Sequence, residues 1–344
     1  LKLKIGLEIH QQLEGRKLFC HCPTLVNDPN KPNFTFSRRL RAVSGEEGKK
    51  DIAAEYEQAK EKTYIYEACK TSSCNVEFDE EPPHNISEFS LDTALIVSQL
   101  MNAELVDEIQ VMRKTVVDGS NVSGFQRTML VGRDGYINTS KGKVGISIIC
   151  LEEEAAKKIK ESKDKVFYSL DRLGVPMLEI ATAPDIKDPE HAKEVAGIIG
   201  MILRSTSRVK RGLGSIRQDI NLSIKNGPRV ELKGFQDLRS IPKVAENEVK
   251  RHLELIKKGR KVKEEVRKVE PSFSTSYLRP MPGAARMYPE TDVSTFRITK
   301  ARLNMLKLPE LIVDRAANFE KKYKISAKLA SEIIKENIPF DYYA

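Results

Sequence analysis

Apolar and polar residues alternate at the start of the chain: Leu3, Ile5, Leu7 and Ile9 interleave with Lys4, Gly6, Glu8 and His10, which predicts a strand over Lys4–Gln12. Side chains alternate faces along a strand, so Glu8 and His10 share the face opposite the aliphatics. Val175–Thr182 predicts a second strand, carrying Glu179, and residues 216–233 predict a hairpin. In the hairpin, Ile216, Ile220, Leu222 and Ile224 precede a KNGP turn and Val230 and Leu232 follow it. The other face carries Asp219, Asn221 and Ser223, then Arg229, Glu231 and Lys233.

A helical period appears elsewhere. Residues 91–104 are apolar nearly all round and predict a buried helix. Asp188 caps a helix with Pro189 at its first position and Val195, Ile198, Ile199 and Ile202 as its core stripe. Residues 243–260 predict an amphipathic helix with Ala245, Val249, His252, Leu253 and Ile256 on one face, so His252 reads as packing and not as a ligand. From about residue 300 the pattern is helical, with a cap at Ser326.

Between these elements the pattern is mixed. Residues 146–159, ISIICLEEEAAKKI, predict a strand passing into a helix, with Glu152, Glu153 and Glu154 where first-turn acids suit the helix dipole. Residues 23–60 read as a loop-rich excursion. VDGSNVSGFQRT, residues 117–128, reads as a polar link whose amides, hydroxyls and Arg127 suit an oxyanion, a plain surface loop being the alternative. GRKVKEEVRKVEP reads as a charged connector. STSYLRPMPGAARMYPETDV reads as a stiff extended segment from which Arg279, Arg286 and Glu290 point back toward a site. There are no internal repeats.

Charge narrows the choice of partner. Across 344 residues, 58 Lys and Arg oppose 49 Asp and Glu, a net charge of +9. The excess favours a polyanion, although runs such as EYEQAKEK make solvated helix faces. No apolar run approaches the roughly 18 residues needed to span a bilayer. The first residues enter the strand directly, without a signal-peptide layout. The size suits two or more parts.

Cysteine spacing adds a metal. Cys20 and Cys22 form C-x-C, and Cys69 and Cys74 form C-x4-C, enough for a closed zinc site of four thiolates. His21 and His84 are substitute ligands, and four unrelated thiols are the alternative. Cys150 reads as core packing. Five cysteines clustered in this way fit an intracellular metal site better than a disulfide framework. On the polar strand faces, Glu8/His10, Glu179, Asp219/Asn221 and Glu231/Lys233 offer hard oxygen ligands that favour Mg²⁺.

Several segments together identify a family. KIGLEIHQQL with FCHCPT, VVDGSNVSGFQRT, ICLEEEAAK, LGVPMLEIATAPDI, GSIRQDINLSI, VELKGFQDL and RPMPGAARMYPETDV resemble the transamidase subunits of tRNA-dependent amidotransferases, the B/E family. SGFQRT and GAARMYPETDV are similar to the archaeal E form. The resemblance covers almost the whole chain. It implies an α+β fold whose catalytic cradle, residues 1–298, has a mainly antiparallel sheet similar to the glutamine synthetase catalytic fold. Residues 299–344 would begin a helical domain. It also implies an insertion domain near residues 262–273, of which only the connector stands here, and a tRNA-gripping tail domain absent from this chain.

The implied function is a cytoplasmic glutamyl-tRNA(Gln) amidotransferase. ATP and Mg²⁺ would activate the glutamate on tRNA(Gln), and an asparaginase-like D subunit would supply ammonia, in a heterotetramer of two D and two E subunits. Glu8, His10, Glu152 and Glu231 are the implied metal ligands, with Glu179, Asp219 and Glu290 in reserve. Arg217, Lys233 and Arg286 would contact phosphate or carboxylate, and Asn221 would line the nucleotide site. RSTSRVKR, residues 204–211, suits the tRNA acceptor stem, a solvated helix end being an equal reading. The rival readings are a Mg²⁺-dependent hydrolase or nuclease, which would need no ATP, and a non-catalytic RNA-binding scaffold, whose acids could be replaced without effect.

Overall fold

The alternation at the start of the chain builds β1 (Leu3–Gln12) at the middle of a large sheet in the computed structural model, which describes residues 3–24, 32–42, 44, 48–224, 227–281, 287–335 and 338. The following strands are β2 (Phe34–Arg38), β3 (Thr63–Ala68), β4 (Glu104–Leu105), β5 (Glu108–Ile109), β6 (Met112–Thr115), β7 (Phe125–Thr139) and β8 (Gly142–Glu153). Then come β9 (Lys157–Glu161), β10 (Lys165–Ser169), β11 (Pro176–Thr182), β12 (Ile216–Ile224) and β13 (Val230–Phe235). The last four are β14 (Glu265–Val269), β15 (Thr275–Pro280), β16 (Met287–Pro289) and β17 (Phe296–Arg297). The helices are α1 (Ile52–Gln58), α2 (Glu88–Leu100), α3 (Pro189–Ser205), α4 (Ile241–Lys257), α5 (Lys300–Met305), α6 (Ile312–Tyr323) and α7 (Ala327–Lys335).

The large sheet runs β15-β14-β13-β12-β1-β11-β8-β7-β6-β16, with β4 also paired to β7. Every pairing is antiparallel except β13 with β14. Chain reach shows that this sheet is curved. Its two edge strands, β15 and β16, are separated by the steps from Pro280 to Met287, which span at most about 25 Å. A flat sheet of this order would place them about 43 Å apart. The sheet therefore bends into a trough, bringing its edges toward each other.

One face of the trough is core. Ile5, Leu7 and Ile9 of β1 join Ile149, Leu151, Leu178, Ile180, Ile220 and Leu222 in a single buried cluster with residues of α2, α3 and α4. Each such side chain contributes roughly 1.5–3 kcal/mol on burial. Ser87 caps α2, and Asp188 caps α3 by accepting from the His191 amide, with Pro189 at the first turn. Among the described residues no helix is long and apolar enough to cross a membrane.

A second sheet, β2-β3-β10-β9, packs its aromatic residues under the segment 117–124. Tyr64, Tyr66 and Tyr168 donate their hydroxyls to the carbonyls of Val117, Gly119 and Asp118, at 2.8, 2.9 and 2.9 Å. Gly119 has φ +85°, and a Cβ there would drive into the Tyr64 ring, so only glycine fits. The loop half of the 117–128 link is thus fastened down, and its SGFQRT half runs into β7.

Several sequence expectations need correction. LEEEAAKK does not start a helix; β8 continues through Glu153, because β7 and β11 pair with it on both sides and satisfy its backbone. The charged connector holds β14, an inner strand of the large sheet, and residues 23–60 hold β2 and α1. On α4 the buried stripe is Ile241, Val244, Ala245, Glu248 and His252, while Ile256 is exposed. Lys225 and Asn226 of the KNGP turn, and Arg286, lie outside the described residues.

Candidate functional site

Strand register gathers the polar residues on the face of the large sheet opposite the core. His10 lies opposite Glu179 of β11 and Arg217 of β12, and Glu8 lies opposite Asp219. Asn221 faces Glu231 across the β12–β13 pair, with Lys233 two residues on. Met177 faces Glu152 on β8, and Lys114 of β6 faces Gln126 on β7. Paired residues point the same way in an antiparallel sheet, so these side chains form one polar floor.

Two groups of ligand atoms lie within 4.8 Å of one another: Glu8, His10 and Asp219, and His10, Glu152 and Glu179. His10 Nε2 is 3.6 Å from Glu8 Oε1 and 3.4 Å from Glu179 Oε2. Cations already stand between the acids. Lys114 Nζ is 2.6 Å from Glu152 and 3.3 Å from Glu179, and Lys233 Nζ is 2.6 Å from Asp219 and also pairs with Glu231. Gln126 donates to Glu152 at 3.2 Å.

Electrostatics divides the acids. Burial is the main cause that pushes Glu8 up to about 7, with Lys233 opposing it. Burial also raises Glu152, against Lys114. Burial works against the charge on Glu179 as well, but Lys114 and His10 outweigh it and hold Glu179 well below the usual carboxylate range. Burial would strip the proton from His10; Glu179, Glu8 and Asp219 reverse that and raise it. Burial likewise opposes the charge on Lys233, and Asp219, Glu231 and Glu8 more than restore it. Carboxylate oxygens with one imidazole suit a hard divalent cation such as Mg²⁺.

Two candidate residues sit differently from the sequence expectation. Glu290 is not on the floor: it is 2% exposed on the opposite face, bonded to Arg113 at 2.5 Å and Arg127 at 2.7 Å. Burial opposes its charge, but the hydrogen bond from Arg113 prevails and brings it to about 2, so its charge is already spent on two arginines. Arg217 starts beside His10 but turns its guanidinium to Glu154, whose oxygens are at 2.9 and 2.8 Å. Asn221 is half-buried on the floor, and Arg279 lies on the edge strand β15.

The cysteines form a second candidate centre. Ligand atoms of Cys20, Cys22, Cys74 and Glu77 lie within 4.8 Å of one another, so Glu77 takes the place expected for Cys69. The turn from Cys74 to Glu77 explains this, since the Cys74 amide donates to Glu77 at 2.7 Å and orients its carboxylate. His84 instead pairs with Glu81 at 2.7 Å. Hydrogen bonds with Cys22 and Cys74, then burial, raise the Cys20 thiol, while those with Cys20 and Cys22 lower Cys74. Three thiols sharing protons beside a carboxylate are a donor set suited to zinc. Buried Lys17 lies 3.7 Å from Glu77 and offsets part of the charge.

Sequence reasoning missed Lys114, Gln126, Glu154, Gln12 and Glu77. Had ICLEEE been read as strand, its period of two would have put Glu152 and Glu154 on one face. Lys114 and Gln126 carry no comparable signal, because only strand order places them.

Residues 3–304 match the GatB/GatE catalytic domain. Similar proteins are named as the E subunit of glutamyl-tRNA(Gln) amidotransferase. That of Methanocaldococcus jannaschii is 39% identical over 470 positions, covering 96% of this chain and 74% of the relative. Those of Methanococcus maripaludis and Methanosarcina acetivorans are 38% identical over 471 and 466 positions, each covering 97% of this chain and 74% of the relative. These alignments are longer than the 344 residues present, so the relatives carry internal stretches with no counterpart here. The chain belongs to the GatB/GatE catalytic-domain family, the amidotransferase subunits that include these archaeal relatives.

Proposed function

We propose that this chain is the transamidating subunit of a glutamyl-tRNA(Gln) amidotransferase, converting glutamate esterified to tRNA(Gln) into glutamine in the cytoplasm. The observation that carries this reading is the floor: acids from β1, β8, β11, β12 and β13 share one sheet face, with Lys114 and Lys233 between them. A γ-carboxylate is a poor electrophile. In the proposed reaction its oxygen attacks the γ-phosphorus of ATP and ADP leaves, giving an acyl phosphate. Ammonia then attacks the acyl carbon, and inorganic phosphate departs with one oxygen of the original carboxylate.

Such a transfer depends mainly on positioning and on neutralising charge. The donor set fits Mg²⁺, with Glu8, His10 and Asp219 as one ligand group and His10, Glu152 and Glu179 as the other, Glu231 standing beside them. When bound, the ion would supply positive charge that offsets the charge developing on phosphate oxygens. The chain's own residues do the rest. His10 must give up its raised proton before its nitrogen can serve as a ligand. Lys233, held cationic, can leave Asp219 or Glu231 for a phosphate oxygen, and Lys114 can do the same from Glu152. Arg217 and Asn221 offer donors to substrate carboxylate or nucleotide.

The wider setting is also proposed. An asparaginase-like D subunit would release the ammonia, in an assembly of two D and two E subunits. Cys20, Cys22, Cys74 and Glu77 would hold a structural zinc that pins the excursion after β1. Residues 1–298 would form the cradle, sharing the glutamine synthetase arrangement, and residues 299–344 would begin a helical domain. The test uses glutamate labelled with ¹⁸O in its γ-carboxylate and charged on tRNA(Gln). One labelled oxygen should appear in phosphate for each glutamine formed. Glutamine formed with unlabelled phosphate would overturn the acyl-phosphate route.

A further inference from the structure

Arg217 presents a puzzle that the floor alone does not solve. Its backbone lies directly opposite His10, and Asp219 is two residues along the same face. A guanidinium placed there is within reach of Glu179, Glu8 and Asp219, the same acids a metal ion would need. It goes to none of them. Only Nη2 is engaged, by both oxygens of Glu154 and by Met177 Sδ at 3.3 Å. Among the described residues, no acceptor meets its Nε or Nη1, and the side chain is 35% exposed. Guanidinium has five donors in a fixed fork, so the N–H groups of Nη1 remain for a ligand.

Glu154 is built to hold that pose. It is 1% exposed, just past the end of β8, and its backbone is fixed by N–H donation to Val175 O at 2.7 Å and acceptance from Gly174 N at 3.0 Å. One carboxylate oxygen also accepts from the Ala155 amide at 3.1 Å, the other from Gln12 Nε2 at 3.1 Å. Gln12 is on β1, two residues beyond His10, so the contact ties the carboxylate to the strand that carries the floor. Burial opposes the charge on Glu154, but Arg217 and then Arg172 outweigh it, and the group stays anionic. Arg172 itself is bonded to the carbonyls of Ala155 and Ala156 and acts on Glu154 through charge alone.

We propose that Glu154 is a positioning residue: it holds Arg217 by one terminal nitrogen, turns the other, Nη1, toward an oxyanion of the substrate, and keeps the guanidinium off Glu179 and Asp219. The ligand class is a phosphate or carboxylate that accepts from the N–H groups of Nη1, the terminal nitrogen Glu154 leaves open. Without Glu154 the nearest acids would capture Arg217, and the subsite would close on itself. This inference rests on the proposed reaction for the identity of its ligand, which is a phosphate of ATP or the carboxylate of the charged glutamate.

The test measures binding, so it stands apart from turnover. Mg²⁺-ATP and glutamyl-tRNA(Gln) are each titrated calorimetrically into the full complex carrying wild-type chain, Glu154→Gln, Glu154→Asp, Arg217→Lys, or Glu154→Gln with Arg217→Lys. Gln is isosteric and keeps one acceptor oxygen, and thermal melts establish that each variant folds. Glu154→Gln should weaken one of the two ligands at least tenfold and leave the other within threefold, which identifies the source of the oxyanion. Glu154→Asp should recover part of the loss. Adding Glu154→Gln to Arg217→Lys should cost less than threefold more, because both act through one guanidinium. Multiplying effects, or a folded Glu154→Gln that binds both ligands like wild type, would overturn the proposal. Wild type that binds both ligands yet forms no glutamine would sink the proposed reaction alone; wild type that binds neither would sink both.

Discussion

Replacing Glu8 by Gln should make the metal-free protein more stable at pH 8 while removing a proposed metal ligand. Glu8 is pressed into the floor beside Glu179 and Glu231, and burial lifts its pKa from 4.5 to about 7. The folded state therefore favours the protonated acid. Its contribution to stability is fully present below pH 4.5 and is lost as pH rises through about 7. The shift corresponds to about 3 kcal/mol when complete. Gln resembles the protonated acid and carries no such dependence. In chelator, urea unfolding at pH 5 should find the two proteins within about 1 kcal/mol, and at pH 8 should find Glu8→Gln ahead by about 2–3 kcal/mol. Comparing variant with wild type at each pH cancels the opposite dependence of Glu179, whose depressed pKa stabilises above its range. Mg²⁺ added at pH 8 should raise the midpoint of wild type and leave that of Glu8→Gln almost unmoved. A constant gap at both pH values, or a less stable variant at pH 8, would refute the reasoning about Glu8.

Gly119→Ala meets the Tyr64 ring at positive φ and endangers the Tyr66 hydrogen bond, so denaturant unfolding should show a loss of about 3–5 kcal/mol; a loss under 1 would mean the loop is not fastened as described. Wild-type protein should bind one zinc per chain by elemental analysis, Cys74→Ser should lose it, and Cys69→Ser should keep it; zinc lost from Cys69→Ser would return the fourth ligand position to that cysteine. Glu248 is fully buried on α4 and accepts from Arg251, His252 and Thr275. Burial opposes its charge, but these bonds hold its pKa at about 2, so its stabilisation is present above pH 4.5 and is lost as pH falls through about 2. Glu248→Gln should then cost about 2–3 kcal/mol at pH 7 and far less at pH 2.5; an equal cost at both would contradict the ionic account.

Where a face is half buried, the sequence announces it. Leu3 to His10 and the hairpin from Ile216 read as strands because their apolar residues lie against α3 and α4 while the acids lie on the opposite face. The same rule failed at Leu151–Glu154, where three consecutive acids imitate a helix start, and only pairing by β7 and β11 decides for strand. β14 was hidden because Glu264, Glu265, Arg267 and Lys268 look like a linker, and only pairing by β13 and β15 shows the segment as a strand. Glu290 resembled a floor residue until Arg113 and Arg127, far away in sequence, proved to enclose it. The exchange of Cys69 for Glu77 depends on one turn, below the resolution of any spacing rule.

The central claim is that this floor activates a carboxylate with ATP and then amidates it. It is tested most directly by incubating the chain with the asparaginase-like subunit proposed to supply ammonia, glutamyl-tRNA(Gln), Mg²⁺-ATP and an amide donor, and in parallel with free ammonium in place of the donor. Glutaminyl-tRNA and ADP should form in equal amounts from either nitrogen source, and both should vanish in folded Glu8→Gln and Glu231→Gln. Glutaminyl-tRNA formed without ATP, or undiminished turnover in either variant, would contradict the account.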